Sequence, residues 1–149
     1  MGTYSIQNAI PLIGATLGTN GAFALAPVTL TATASDNRGT ITVKGDSQVM
    51  LYIRYITGAA ETNNTLQMTV EFSPDGTLFY QEATEEASTT TVNEYQATRN
   101  FLGASAATTY SFRVAIPVAD VDRLRISFAE SGVASNFGSV SCLAVKSSQ

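Results

Sequence analysis

The chain has no histidine, no tryptophan and one cysteine in 149 residues. Histidine is the common general base near neutral pH and the commonest metal ligand. Its absence excludes Ser-His-Asp and Cys-His nucleophile systems, along with histidine-containing zinc sites, and no cofactor is expected. Cys142 has no second cysteine to pair with, so no intrachain disulfide framework can form. Charge is also sparse: 8 Lys+Arg against 12 Asp+Glu give a formal charge of −4. The bases Arg38, Lys44, Arg54, Arg99, Arg113, Arg123, Arg125 and Lys146 are scattered along the chain. A nucleic-acid binder usually gathers its bases into a patch, so no nucleic-acid partner is expected. No apolar run approaches the ~20 residues of a membrane span, so no membrane partner is expected. No basic stretch precedes Ile10–Ile13, as a secretory leader would require. Synthesis in a cytoplasm is therefore expected, where the Asn63-Asn64-Thr65 sequon is silent.

What is present is alternation. Leu66, Met68, Val70 and Phe72 share one side of residues 65–73, with Gln67, Thr69 and Glu71 on the other. Side chains of a strand point alternately to its two faces, so this pattern predicts a half-buried strand. Tyr110, Phe112, Val114 and Ile116 repeat it, and so do Leu124, Ile126 and Phe128. Residues 28–34 alternate Val28, Leu30, Ala32 and Ala34 with threonines, and 40–44 make a further short strand. Residues 49–56 are apolar on both sides, which suits a central strand or one covered by a partner. Thr89–Tyr95 reads as β-rich, Phe101–Ala107 as a loop, and Val140–Lys146 as the last strand. Pro74-Asp75-Gly76 is a turn signal that calls for positive φ at Gly76. About eight short strands joined by turns predict one all-β, antiparallel β-sandwich over residues 27–149, of jelly-roll type. Residues 1–26 carry no charge and hold small groups of aliphatics. They form either a strap over their own domain or an extended arm docking on a neighbour.

Candidate chemistry is thin. Asp120-Val121-Asp122 sets two carboxylates two residues apart, whereas calcium wants six to eight oxygens. A third carboxylate and the usual glycine are missing nearby, so turn and capping roles are expected. Glu82, Glu85 and Glu86 sit in one connector and do not define the facing pair that glycoside hydrolysis needs. No catalytic residue is identified, and the protein is not expected to be an enzyme. Cys142 lies between strand residues, where a free cysteine behaves as a small hydrophobe. Tyr52 and Tyr80 are candidate exposed rings on which a glycan could stack. Tyrosine and arginine are enriched at protein interfaces. Tyr52 with Arg54 is thus a candidate partner contact, as is the pair Arg123 and Arg125. From the N-terminal segment, Ile6, Ile10, Leu12 and Ile13 are the candidate contacts.

Two stretches resemble small virion proteins of tailed bacteriophages. One is the hairpin Val70-Glu71-Phe72-Ser73-Pro74-Asp75-Gly76-Thr77-Leu78-Phe79-Tyr80. The other runs from Asp122 to Val145: a Leu-Arg-Ile-Ser-Phe strand, a Gly/Ser loop, and a closing strand. The resemblance implies a capsid decoration protein of jelly-roll type, on the capsid exterior, often trimeric. Its partner would be the major capsid protein, and no catalytic motif comes with it. The alternative is a glycan- or receptor-binding module of a phage fibre or tail.

Overall fold

Alternating apolar residues build two facing sheets. A computed structural model of the chain describes residues 9–18, 23–82, 84–85, 95–96, 98–132 and 136–148. In chain order the strands are β1 (Ala9–Ile13), β2 (Ala15–Leu17), β3 (Phe23–Leu25), β4 (Val28–Thr29), β5 (Arg38–Thr42), β6 (Asp46–Ile56) and β7 (Asn64–Ser73). They continue as β8 (Tyr80–Gln81), β9 (Thr84–Glu85), β10 (Tyr95–Gln96), β11 (Thr98–Gly103), β12 (Thr109–Pro117), β13 (Arg123–Ser131) and β14 (Ser139–Ser148). Among the described residues the only helical piece is a 3-10 turn at Ala34–Asp36. The first sheet runs β1-β14-β6-β12 and the second β11-β7-β13-β5, with every pairing antiparallel. Each sheet mixes strands from early and late in the chain, and this order is that of a jelly roll.

The core lies between the sheets. Leu51, Ile53 and Tyr55 of β6 face Leu66, Met68 and Val70 of β7 and Leu124, Ile126 and Phe128 of β13. Each such side chain contributes about 1.5–3 kcal/mol on full burial. Leu66 and Ile126 are fully enclosed, as their alternation predicts. Phe72 and Phe112 are only partly buried. Phe112 sits on the edge strand β12 and packs its ring against Phe101, 4.6 Å away between centroids. Gly76 adopts φ +81°, as the turn signal requires.

Three elements differ from the alternation. Residues 28–34 give only the two-residue β4. Thr31 Oγ1 donates to Asp36 and accepts from Thr33 N–H, a local side-chain competition that turns the chain out of the sheet. Phe101–Gly103 belongs to β11 rather than to a loop, because its register on Leu66, Thr65 and Asn64 continues the ladder to β7. Thr69 and Glu71 were expected to face solvent but are buried. On β13, Ser127 lies across from Thr69 and Arg125 across from Glu71, forking onto both Glu71 carboxyl oxygens at 3.0 and 2.7 Å with Phe79 over its guanidinium. Of Thr89–Tyr95, residues 89–94 lie outside the described residues.

Part of the N-terminal segment belongs to the sandwich. β1 pairs with β14 through Ala9↔Val145, Ile10↔Ala144 and Pro11↔Leu143, then bulges and resumes at Ile13↔Cys142. Proline cannot donate to a ladder and is at home on such an edge strand. Ile10, Leu12 and Ile13, candidates above for a partner contact, lie on this strand. Ile13 is 6% exposed, and Ile10 and Leu12 pack against the same core. Ile6 lies outside the described residues.

Candidate functional site

The strand register assembles a face that no single stretch of sequence displays. On the outer side of the first sheet, Arg54 of β6 stands between Ser111 of β12 and Ser141 of β14. In the next row Tyr52 stands between Arg113 and Leu143, and Pro11 extends the row on β1. The row after that is Ala115, Met50 and Val145. These positions alternate with inward-facing Leu51, Ile53 and Cys142, so the core itself fixes which side chains look outward. The two-sided apolar character of residues 49–56 has two causes: one face is core and the other is this outer surface.

A hairpin borders the face. Between β1 and β4, which together line one edge of β14, the chain leaves the sheet to form β2 and β3. Gly14 starts the excursion with φ +61°. A Cβ there would lie 2.6 Å from the Val140 carbonyl oxygen, so only glycine lets the hairpin press onto β14. Leu25 of β3 then overhangs the face. The result is a groove of about 430 Å³ lined by Leu25, Tyr52, Arg54, Phe112, Arg113 and Leu143, with Ser111 and Ser141 between them. Tyr52 is 44% exposed and Leu25 38%. Among the described residues neither Arg54 nor Arg113 makes an ion pair or a side-chain hydrogen bond; the pairs present are Arg99–Glu82, Arg123–Asp122, Arg125–Glu71 and Lys146–Asp46. Ser141 is 1% exposed, and its hydroxyl has no hydrogen-bond partner among the described residues.

The remaining candidates separate. Tyr80 is 59% exposed, but it sits on β8 of the second sheet, away from Tyr52. Arg125 is held by Glu71, and Arg123 lies 3.2 Å from Asp122. Asp120 and Asp122 line a second cleft of about 330 Å³ with Lys44, Asp46 and Pro74. There Lys146 approaches Asp46 at 3.6 Å, and the Asp122 backbone ties β5 to the end of β7. Among the described residues no three His, Cys, Asp or Glu side chains converge as a metal group would require. Glu82 receives a two-pronged bond from Arg99, and that contact holds the Arg99 guanidinium above its ordinary pKa. Burial pushes the Cys142 thiol up to about 12, which suppresses the thiolate that a nucleophile needs.

One polar cluster gave no signal in the sequence. Tyr55 donates its hydroxyl to Glu130, whose other carboxyl oxygen accepts the Gly138 N–H at 2.9 Å. Burial, with Glu130 beside it, raises the Tyr55 phenol far above its ordinary pKa. Glu61 accepts from Asn64 and from the Asn136 N–H. Each carboxyl oxygen in these contacts meets a donor, so the cluster pins the loops after β6 and β13 to one end of the sandwich.

No family model matches the chain, and no curated protein matches it. Solved structures resemble it in fold. The CBM22-1–GH10 modules of xylanase 10B from Clostridium thermocellum, complexed with xylohexaose, give a TM-score of 0.48 at 11% identity, over 95% of this chain and 26% of that one. VP2 of infectious bursal disease virus, from a subviral particle, gives 0.43 at 12% identity, over 94% and 32%. The mannan-recognising carbohydrate-binding module TmCBM27 gives 0.41 at 12% identity, over 97% and 91%. This chain therefore spans about a quarter of the xylanase chain and a third of VP2. At such identities the likeness is one of β-sandwich fold.

Proposed function

We propose that this protein is a non-catalytic docking module and, more specifically, a virion protein that decorates an assembled capsid. The observation that supports this reading is the outer face of the first sheet. Tyr52, Met50, Leu143 and Val145 present apolar surface from its middle strands, and Arg54 and Arg113 beside them have no counter-charge among the described residues. A face carried on paired strands is already ordered, so docking forfeits little conformational freedom. On this reading the partner is the major capsid protein and the location is the capsid exterior. Binding the lattice in preference to dispersed subunits stabilises the shell by mass action. A homotrimer touching several shell subunits at once strengthens each weak contact through effective concentration.

The second reading is a glycan-binding module of a fibre or tail. The exposed Tyr52 ring inside a groove favours it, since a sugar can stack there. Co-sedimentation of the purified protein with capsids stripped of their decoration tests the first reading, and a glycan array run in parallel tests the second. Saturable binding to particles with a silent array is the expected result. Array binding without particle binding moves the function to the glycan module.

A further inference from the structure

The groove on the first sheet has a chemical asymmetry that restricts its occupant. Its outward apolar walls are Leu25, Tyr52 and Leu143, and its polar groups gather around Arg54. Arg54 and Arg113 lie diagonally across the β6–β12 pairing, since Arg54 faces Ser111 and Arg113 faces Tyr52. Diagonal neighbours of this kind remain within reach of long side chains. Two cations so placed, with no carboxylate on either among the described residues, repel each other until an anion lies between them. Ser141 is a second and independent sign. It is Arg54's neighbour on the opposite strand, it borders the groove, and its buried hydroxyl has no partner among the described residues. Buried polar groups are nearly always satisfied in native proteins, and an acceptor docked beside Arg54 would satisfy this one.

We infer that the groove receives an acidic segment of a partner protein, a carboxylate side chain seated between Arg54 and Arg113 with aliphatic neighbours against Tyr52, Leu143 and Leu25. This rests on the docking reading above and gives its partner a chemistry. A polypeptide fits better than a sugar. A sugar ring carries hydroxyl donors on every side, and the groove's lining holds no carboxylate or amide side chain to accept from them. A carboxylate flanked by aliphatic residues matches both the guanidiniums and the walls. Arginine also suits a planar carboxylate through paired N–H donors.

The test is selection of a random 12-residue peptide library on the immobilised protein, followed by binding titrations of the enriched peptides. Enriched sequences are expected to centre on Asp or Glu between aliphatic residues. Replacing that acid by its amide, or using the Arg54→Gln/Arg113→Gln double variant, should weaken binding at least about tenfold. Among the described residues neither guanidinium has a partner, so the variant should keep the native circular dichroism. Salt gives a second route that needs no variant: raising it from ~50 to ~500 mM should weaken the native protein's peptide binding several-fold. No enrichment, enrichment without acids, salt-independent binding, or oligogalacturonate binding in place of peptide binding would each overturn the inference. Capsid co-sedimentation separates it from the decoration reading. Particle binding unimpaired in the double variant removes the groove from the mechanism. Acidic-peptide binding by a native protein that ignores particles leaves the groove standing and removes the capsid.

Discussion

Asp75 illustrates how one side chain fixes a turn. Its Oδ1 accepts the backbone N–H groups of Leu78 and Thr77 at 2.9 and 2.8 Å, and Ser73 Oγ both donates to it and receives the Gly76 N–H. The bonds from Leu78 and Thr77 favour the ionised form and hold the carboxyl below its ordinary value of 3.8. A carboxyl depressed on folding contributes stability that is present above its unfolded pKa and lost as pH falls through the folded one. The Asp75 resonance should therefore titrate with a midpoint below 3.8 in an NMR pH series. In Asp75→Asn the acid limb of the stability profile, below about pH 4, should flatten. A midpoint at or above the ordinary value would mean that the turn does not select the anion. At the same scale, Phe112→Ala should cost less than the ~3–5 kcal/mol of a fully enclosed ring, because the ring packs against the core from an edge strand and is only partly buried.

At the scale of elements, β1 decides what the N-terminal segment does. Ile13 is 6% exposed in the core, so Ile13→Ala should cost about 2–5 kcal/mol in a denaturant titration of the protein alone. An arm serving only a partner would leave that stability within about 0.5 kcal/mol. The sequence could not decide this, because residues 9–13 have no clean alternation: the bulge before Ile13 breaks the period. Where alternation is unbroken, in β7, β12 and β13, strand and apolar inward face were legible in advance from period 2, but the burial of Thr69 and Glu71 on the other face of β7 was not. What stayed hidden depends on pairing. Phe101 looked like loop because its neighbours Gly103 and Ala104 are weak strand formers, and only the ladder to β7 makes it a strand residue. The site was legible in the same uneven way. Tyr52 and Arg54 stood out as outward polar-aromatic positions on an apolar strand. Arg113, Leu143, Ser141 and Leu25 come from three other strands, and register is not written in any one of them.

At the scale of the whole molecule, the sheet order and the size of the groove set the terms of assembly. β14, late in the chain, is the interior strand that joins β1 and β4 to β6, so the proposed docking face is complete only when β1, β4, β6 and β14 are all in place. The face is then rigid but small. Nine residues line the groove, against roughly 20–30 residues a side in a stable protein–protein interface. A single copy would therefore hold a shell weakly, and a cementing role requires several grooves acting together. Linked sites gain about 10²–10⁴ in overall affinity when geometry allows simultaneous engagement. The expected solution state is accordingly a homotrimer, and light scattering at micromolar concentration should give three times the chain mass. Particle binding should fall more steeply than concentration once dilution breaks the trimer, because each released monomer keeps only one weak contact. A monomer that nevertheless binds particles at nanomolar concentration would need ~12 kcal/mol from one contact. The groove alone cannot supply that, and the docking surface would then have to be sought elsewhere on the sandwich.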